Sequence, residues 1–179
     1  MNESRETIGK SESGLDEGKV RELIDSDNWS LENSFREIDN AVEALKRIVL
    51  ARGWESEEIE EFVEVAFREA LVNALIHGNY GLTEEDKGEA KMWDQALAET
   101  TNIPAGNIEV EFTITHDEIR VSIEDHGMGF NFNTAEVSAI SEPKNIMKKS
   151  GRGLLLIKHF ADEVFHEKGG RRIILIKRK

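Results

Sequence analysis

Apolar residues recur at three- and four-residue steps in the first half of the chain, which is the spacing of a helix that buries one face. The first such stretch carries Ile38, Val42, Leu45 and Val49. It predicts a helix that ends at Gly53, where a glycine can adopt the left-handed conformation that closes a helix. Ser56 offers a capping hydroxyl for a second helix, which should run to about His77 and stop at Gly78.

The second half of the chain alternates apolar and polar residues, which is the pattern of half-buried strands. Residues 108–124 predict an antiparallel pair with its turn at His116–Glu118, and residues 163–179 predict another around the Gly169–Gly170 turn. The apolar stretch "GRGLLLIKHFAD" predicts a buried helix, and "NWSLENSF" predicts a short edge strand. Because helices come early and strands late, the pattern favours an α+β fold with one antiparallel sheet and helices on one face.

Composition divides the chain into a tail and one domain. Residues 1–27 are polar and rich in Glu and Ser, so we expect a flexible acidic tail with a short helix around Val20–Ile24. Residues 28–179 are enough for a single domain with its own core. Within this domain, residues 81–107 form an acidic connection that is expected to contain one helix.

Charge and cysteine content narrow the possible functions. The formal net charge of the 179 residues is −13, which argues against nucleic acid as a partner because phosphates attract a basic protein surface. A chain without cysteine forms no disulfide, thiolate metal site or cysteine nucleophile. The amino terminus lacks the apolar core of a signal peptide, and no aliphatic run is long enough to span a bilayer. We therefore expect a cytoplasmic protein without a membrane partner.

A carboxylate and an amide interrupt the apolar pattern of the second predicted helix, in "EALVNALIHGNY". At about 100° per residue, Glu69 and Asn73 fall within roughly 40° of the line through Phe62 and Ala66, at the edge of the buried face. Their four-residue spacing lets both oxygens bind one object, such as a hydrated magnesium ion. A local hydrogen bond between the two side chains is the alternative explanation.

Asp125 ends an inward-facing row of strand residues, on the same face as Val121 and Ile123. Burying an unpaired carboxylate costs several kcal/mol, so this side chain needs a hydrogen-bond donor. Gly127 and Gly129 leave the backbone open to a closely approaching ligand, and an exocyclic amino group would supply the donor. The amides of the turn "EDHGMGF" would supply it equally well.

The stretch "KKSGRGLLLI" joins a glycine-containing loop to the start of an apolar helix. Its first free amides, together with Lys148, Lys149 and Arg152, form a site suited to an anion. The alternative is a loop that enters a core helix, with Gly151 and Gly153 needed only for the turn and the cations solvated. Taken together, a metal-binding helix, an amine-accepting aspartate and a phosphate-binding helix start indicate a purine nucleoside triphosphate with magnesium.

These three motifs, in this order, resemble the N, G1 and G2 boxes of the GHKL (Bergerat-fold) ATPase and kinase superfamily. The chain most resembles the bacterial anti-sigma factor serine-protein kinases, through E-A-x-x-N-A-x-x-H, Phe130 and S-G-R-G-L. The resemblance covers roughly residues 28–179 and implies a two-layer sandwich of a mixed, mainly antiparallel sheet with helices on one face. Residues 81–107 then form an insertion, because this connection is longer than is usual in the family.

The resemblance also implies a role for each motif residue. Asn73 would hold the magnesium ion that bridges the phosphates, and Glu69 would be the general base. Asp125 would accept a hydrogen bond from the adenine amino group, above a floor shaped by Gly127 and Gly129. The residues that would bind the phosphates are Lys149, Gly151, Arg152 and Gly153.

Proteins of this kind use ATP and Mg²⁺ to phosphorylate a serine on an anti-sigma-factor antagonist, and otherwise sequester a sigma factor, usually as homodimers. The resemblance therefore implies an ATP-dependent serine-protein kinase and anti-sigma factor. Two alternatives are a nucleotide-gated binding switch without phosphotransfer and a detached catalytic ATPase domain of the histidine-kinase type. One departure from the family pattern is Arg171, since the last strand often carries a glycine followed by threonine near the adenine.

Overall fold

The computed structural model describes residues 14–83, 85–86, 92–129 and 152–179. Five strands form one sheet: β1 (Asn28–Leu31), β2 (Ile108–Ile114), β3 (Glu118–Glu124), β4 (Glu163–Glu167) and β5 (Arg172–Arg178). Their spatial order is β1-β2-β3-β5-β4, and all four neighbouring pairs are antiparallel. The predicted α+β fold is confirmed, and the sheet that was expected to be mixed is antiparallel throughout its described strands.

Among the described residues, five separate helical segments accompany the sheet. They are α1 (Glu17–Ile24), α2 (Phe35–Ala51), a long helix over residues 57–79, α5 (Trp93–Glu99) and α6 (Arg152–Phe160). The long helix is continuous but not uniform. It consists of α3 (Glu57–Glu61), a π-helical turn (Phe62–Phe67), α4 (Arg68–Asn73) and a second π-helical turn (Ala74–Asn79).

Helix α2 is closed by Gly53, as the sequence predicts, and it begins after a serine cap. The Ser34 hydroxyl accepts a hydrogen bond from the Glu37 N–H at 3.2 Å, which caps the first turn. Gly53 closes the helix with φ +78°, a conformation that is costly for residues with a Cβ. Between these ends, the face that packs on the sheet consists of Ile38, Ala41, Val42, Leu45, Ile48 and Val49.

The long helix also starts as predicted, because the Ser56 hydroxyl accepts from the Ile59 N–H at 3.3 Å. It ends at Asn79 rather than near His77. The final turn is wider than an α-helical turn: the Tyr80 N–H bonds the Leu75 carbonyl, five residues back, at 3.1 Å. This wider turn carries the helix through Gly78, where an α-helix would be expected to stop.

The hydrophobic core lies between the helices and one face of the sheet. The inward-facing row of β2 is Ile108, Val110 and Phe112, and that of β3 is Ile119, Val121 and Ile123. Trp29 of β1 packs edge-on against Phe67 of the long helix, with ring centroids 6.4 Å apart, and against Phe112 of β2 at 4.9 Å. The predicted parity of the strands is therefore correct, and it directs Asp125 toward the helical layer.

The predicted flexible tail over residues 1–27 is wrong for its second half. Residues 17–24 form α1, which packs on α2 and buries Val20 and Leu23. Arg47 of α2 donates to both carboxylate oxygens of Glu17, at 2.9 and 2.8 Å. The short helix expected around Val20–Ile24 is therefore present, but it is packed against the domain instead of lying in a flexible tail. Residues 1–13 lie outside the described residues.

Helix α6 is less buried than its sequence predicts. Ile157 is fully buried, whereas Leu156 is 41% exposed. The helix packs on the long helix with one side only, since it lies at the border of the helical layer. In the part of the chain that the structure describes, no helix combines the length and apolarity needed to cross a membrane.

Candidate functional site

The end of the long helix touches the turn that follows β3. A Cβ built on Gly78 would overlap the carboxyl carbon of Asp125, and one built on Gly127 would overlap the Gly78 carbonyl oxygen. Both positions must therefore be glycine for the two segments to approach this closely. The first and second motifs identified in the sequence are in direct contact.

The start of α6 touches the same long helix about two and a half turns earlier, at Glu69. A Cβ built on Gly153 would overlap Oε1 of Glu69, so this carboxylate lies directly against the first turn of α6. The long helix thus links the Asp125 turn at its end to the start of α6 near its middle. The predicted convergence of the three motifs holds for their described residues, whereas Lys149, Gly151 and Phe130 lie outside them.

Glu69 and Asn73 lie on one face of α4 and are both half-buried. Neither side chain has a hydrogen-bond or ion-pair partner among the described residues, and the alternative of a Glu69–Asn73 hydrogen bond is therefore not supported. The neighbouring Arg68, in contrast, pairs with Asp39 at 2.6 Å. Burial raises the pKa of Glu69 above its ordinary value, and the charge of His77 partly opposes this shift. Two oxygen-bearing side chains are thus free to bind a ligand.

Asp125 is held by the backbone on two sides and is only 9% exposed. Its Oδ1 accepts from the Gly127 N–H at 2.9 Å, and its own N–H donates to the Arg171 carbonyl at 2.9 Å. The turn-amide alternative is therefore correct for one carboxylate oxygen. Oδ2 has no hydrogen bond to any described residue and remains available as an acceptor. Burial raises the pKa of Asp125, while the Gly127 N–H and the charge of Arg171 oppose the shift.

The β4–β5 turn closes the site beside Gly129. Gly129 has φ +81°, and a Cβ built on it would overlap the Gly169 carbonyl oxygen. Arg171, the departure from the family pattern, supplies its backbone carbonyl to Asp125, while its side-chain Nε donates to the Lys168 carbonyl at 3.2 Å. Its side chain is therefore turned toward its own hairpin.

The donor set fits a magnesium nucleotide. An unpaired amide and an unpaired carboxylate on one helical face are the hard oxygen ligands and base that magnesium chemistry uses. The free Oδ2 of Asp125 can accept from an exocyclic amine, and Arg152 is exposed at the start of α6, where an anion would be stabilised. Glu69 and Asn73 lie on the long helix, and Asp125 contacts its end. Arg152 directly precedes Gly153, which contacts Glu69.

Sequence reasoning missed Asn79. This residue is 3% exposed, and its Oδ1 accepts from the His126 N–H at 2.8 Å. Its Nδ2 donates to Asn33 Oδ1 at 2.7 Å and to the Gly106 carbonyl at 2.9 Å. The available signal was an asparagine directly after the glycine that should have ended the helix, a position where a polar residue ordinarily reaches solvent.

Comparison with known proteins agrees with this geometry. The chain matches the histidine kinase-like ATPase domain over residues 31–177, and it belongs to this family. The resemblance to the GHKL superfamily is thereby confirmed, and the name of the family implies a domain that uses ATP.

Two relatives resemble the chain over the same length. The anti-sigma F factor of Clostridium perfringens (strain SM101 / Type A) is 28% identical over 125 residues, which cover 68% of this chain and 74% of that protein. The serine-protein kinase RsbW of Listeria monocytogenes serovar 1/2a is 28% identical over 125 residues, covering 68% of this chain and 66% of that protein.

Proposed function

We propose that the protein is an ATP-dependent serine-protein kinase that phosphorylates an anti-sigma-factor antagonist and otherwise sequesters a sigma factor. The observation that carries this proposal is Glu69, an unpaired, half-buried carboxylate that faces the start of α6 one helical turn before Asn73. A carboxylate with no structural partner at such a place is poised for chemistry. The names of the two relatives support the same class of activity.

Each site residue then has a role. Asn73 would hold Mg²⁺, and Asp125 would accept from the adenine amino group above Gly127 and Gly129. The phosphates would be bound by Lys149, Gly151, Arg152 and Gly153. The bound nucleotide would supply the phosphoryl group, and the metal would neutralise charge on its oxygens.

Glu69 would act as the general base. It would accept the proton of the substrate serine hydroxyl as this oxygen forms its bond to phosphorus and the bond to the departing ADP breaks. The raised pKa of Glu69 makes it a stronger base than an exposed glutamate. Burial by the start of α6 would also keep water, the competing nucleophile, away from this carboxylate.

The partners follow from the same proposal. They are an antagonist protein that carries the acceptor serine, a sigma factor, and a second copy of this chain, since we expect a homodimer. The net charge of −13 gives no reason to propose nucleic acid binding. Sigma factors act on transcription, so the proposed place of action is the cytoplasm, without a membrane partner.

The test is phosphate transfer from labelled ATP to the cognate antagonist in the presence of magnesium. We expect acid-stable label on serine with the wild type, little label with Glu69→Gln, and wild-type label with the control Glu64→Gln. Glu64 is an exposed glutamate of the same helix that pairs with Lys46 at 2.6 Å. Equal labelling by Glu69→Gln would contradict the assigned base.

A second candidate is a nucleotide-gated binding switch without phosphotransfer. Arg171 favours it, because the residue replaces the small residues of the family pattern and lies beside Asp125. Stable binding of ATP and partner with no transfer over a long incubation would select this function. Acid-labile label on the acceptor would instead indicate a detached catalytic domain of the histidine-kinase type.

A further inference from the structure

The residues around Asn79 connect four separate parts of the chain. The side chain of Asn79, at the end of the long helix, reaches the loop before α2 through Asn33 and the end of the insertion through Gly106. It reaches the turn after β3 through the His126 N–H. Its backbone carbonyl accepts from the Ala105 N–H at 2.9 Å, a second bond to the insertion.

Two of the groups that Asn79 bonds are also bonded to each other. The Asn33 side chain, bonded to Asn79, also donates its Nδ2 to the Gly106 carbonyl at 2.5 Å. A Cβ built on Gly106 would lie 2.8 Å from Cδ2 of His126, so the insertion backbone lies directly against this ring. Asn79, Asn33 and Gly106 therefore form one partly buried polar unit beside the turn, and such units favour a single conformation when all their members are bonded.

This polar unit fixes the backbone of His126, the residue that follows Asp125. The carbonyl of Arg171 holds the Asp125 N–H from the β5 side, and Asn79 holds the following N–H, that of His126, from the helix side. The two peptide units that flank the Asp125 Cα are thus held from opposite directions. Oδ1 is bonded to the Gly127 N–H, so the direction in which Oδ2 points depends on this backbone.

We propose that Asn79 is a positioning residue that aims Asp125 at the purine amino group, and that Ala105 and Gly106, at the end of the insertion, act through it to set selectivity for ATP over GTP. The inference rests on the proposed function, because it assumes that Asp125 reads the base. It assigns the end of the insertion a role as a support of the base pocket. A guanine carries a carbonyl where adenine carries the amine, so a loosened Asp125 would lose its discrimination between them.

Calorimetric titration of Mg·ATP and Mg·GTP into four proteins tests the proposal. Asn79→Ala removes the acceptor of the His126 N–H, and we expect about tenfold weaker ATP binding with GTP binding almost unchanged, the size of one lost hydrogen bond in a buried site. Asn33→Ala, a milder change to the same unit, should lower the ATP/GTP ratio about threefold. Asn40→Ala is the control, since Asn40 is a buried asparagine that bonds the Asp16 N–H, remote from the site.

The outcomes separate the two proposals. Parallel loss of ATP and GTP affinity in Asn79→Ala, or an unchanged ratio, overturns the positioning role and leaves the kinase proposal standing. Failure of the wild type to bind ATP overturns the proposed function, and this inference with it. If Asn79→Ala does not fold, Asn33→Ala decides, because an unchanged ratio in that variant contradicts the proposal.

Discussion

The two ends of the candidate site differ in how their carboxylates are held. Asp125 is fixed by backbone hydrogen bonds on two sides, with a third bond fixing the next residue. Glu69 is half-buried against the start of α6 and has no partner among the described residues. Asp125 is suited to selective binding, because hydrogen bonds fix its position before a ligand arrives. The Glu69 end is free to gain and lose a proton, which is what a base requires.

The largest change in activity should come from replacing Glu69. Glu69→Gln keeps the size of the side chain but removes its basicity, so kcat for phosphotransfer should fall about 10²- to 10⁴-fold. The Kd for ATP should stay within about threefold, since no hydrogen bond to the nucleotide base is lost. A parallel assay of kcat and ATP affinity, with Glu64→Gln as control, checks this split. A large change in Kd with normal kcat would assign Glu69 to binding.

The packing of the long helix against the Asp125 turn can be broken at Gly78. Alanine in place of glycine inside a helix ordinarily stabilises it by about 0.5–1 kcal/mol. Gly78→Ala should reverse this sign and destabilise the fold by about 2 kcal/mol, because the new Cβ would overlap Asp125. Urea denaturation measures the change.

Gly14→Ala is the control for glycine replacement without a clash, since Gly14 precedes α1 and a Cβ there meets nothing within 4 Å. Gly78→Ala should also lose ATP binding, because Asp125 has to move to accommodate the methyl group. A stabilised Gly78→Ala variant would show that the helix end and the turn are not packed as described.

A change at Asp125 should alter the affinity for ATP rather than the rate of phosphotransfer. Asp125→Asn replaces an acceptor oxygen with a group that can donate, so ATP binding should weaken about tenfold. At saturating ATP, kcat should remain within about threefold of the wild-type value, because the base is untouched. Calorimetry with and without magnesium, beside steady-state kinetics, separates the two quantities. Unchanged affinity would remove Asp125 from the nucleotide site.

The smallest effect concerns stability and pH. Burial raises the pKa of Asp125 above its ordinary 3.8 in the folded protein, so the fold binds this proton more tightly than the unfolded chain does. Stability from this group is therefore lost as pH rises from about 3.8 through the raised pKa, and the charged form weakens the fold at neutral pH.

Asp125→Asn should accordingly be at least as stable as the wild type at pH 7, and its relative advantage should shrink toward pH 4. Urea denaturation at both pH values measures the difference. Asp117→Asn, a change to an exposed residue of the β2–β3 turn, is the control. A wild type that is more stable than Asp125→Asn at pH 7 would mean that the carboxylate is stabilised by its surroundings.

Local signals were enough to predict much of the fold. Ser56 caps the long helix, Gly53 ends α2, and strict alternation predicted β2 and β3 with the correct inward faces. These features depend on residues close together in sequence, where spacing translates directly into geometry. The three motifs of the site were recognisable for the same reason.

The sequence by itself thus determined the elements, their buried faces and the chemistry-bearing residues, because periodicity and capping are local properties. Only the tertiary structure decided that Glu69 lacks a partner, that α1 packs on α2, and that Asn79 joins the helix end to the insertion and the Asp125 turn. Whether a polar side chain is satisfied depends on groups far away in sequence, 47 residues away for Asn79 and His126 and 73 for Asn33 and Gly106, and no local pattern encodes such contacts.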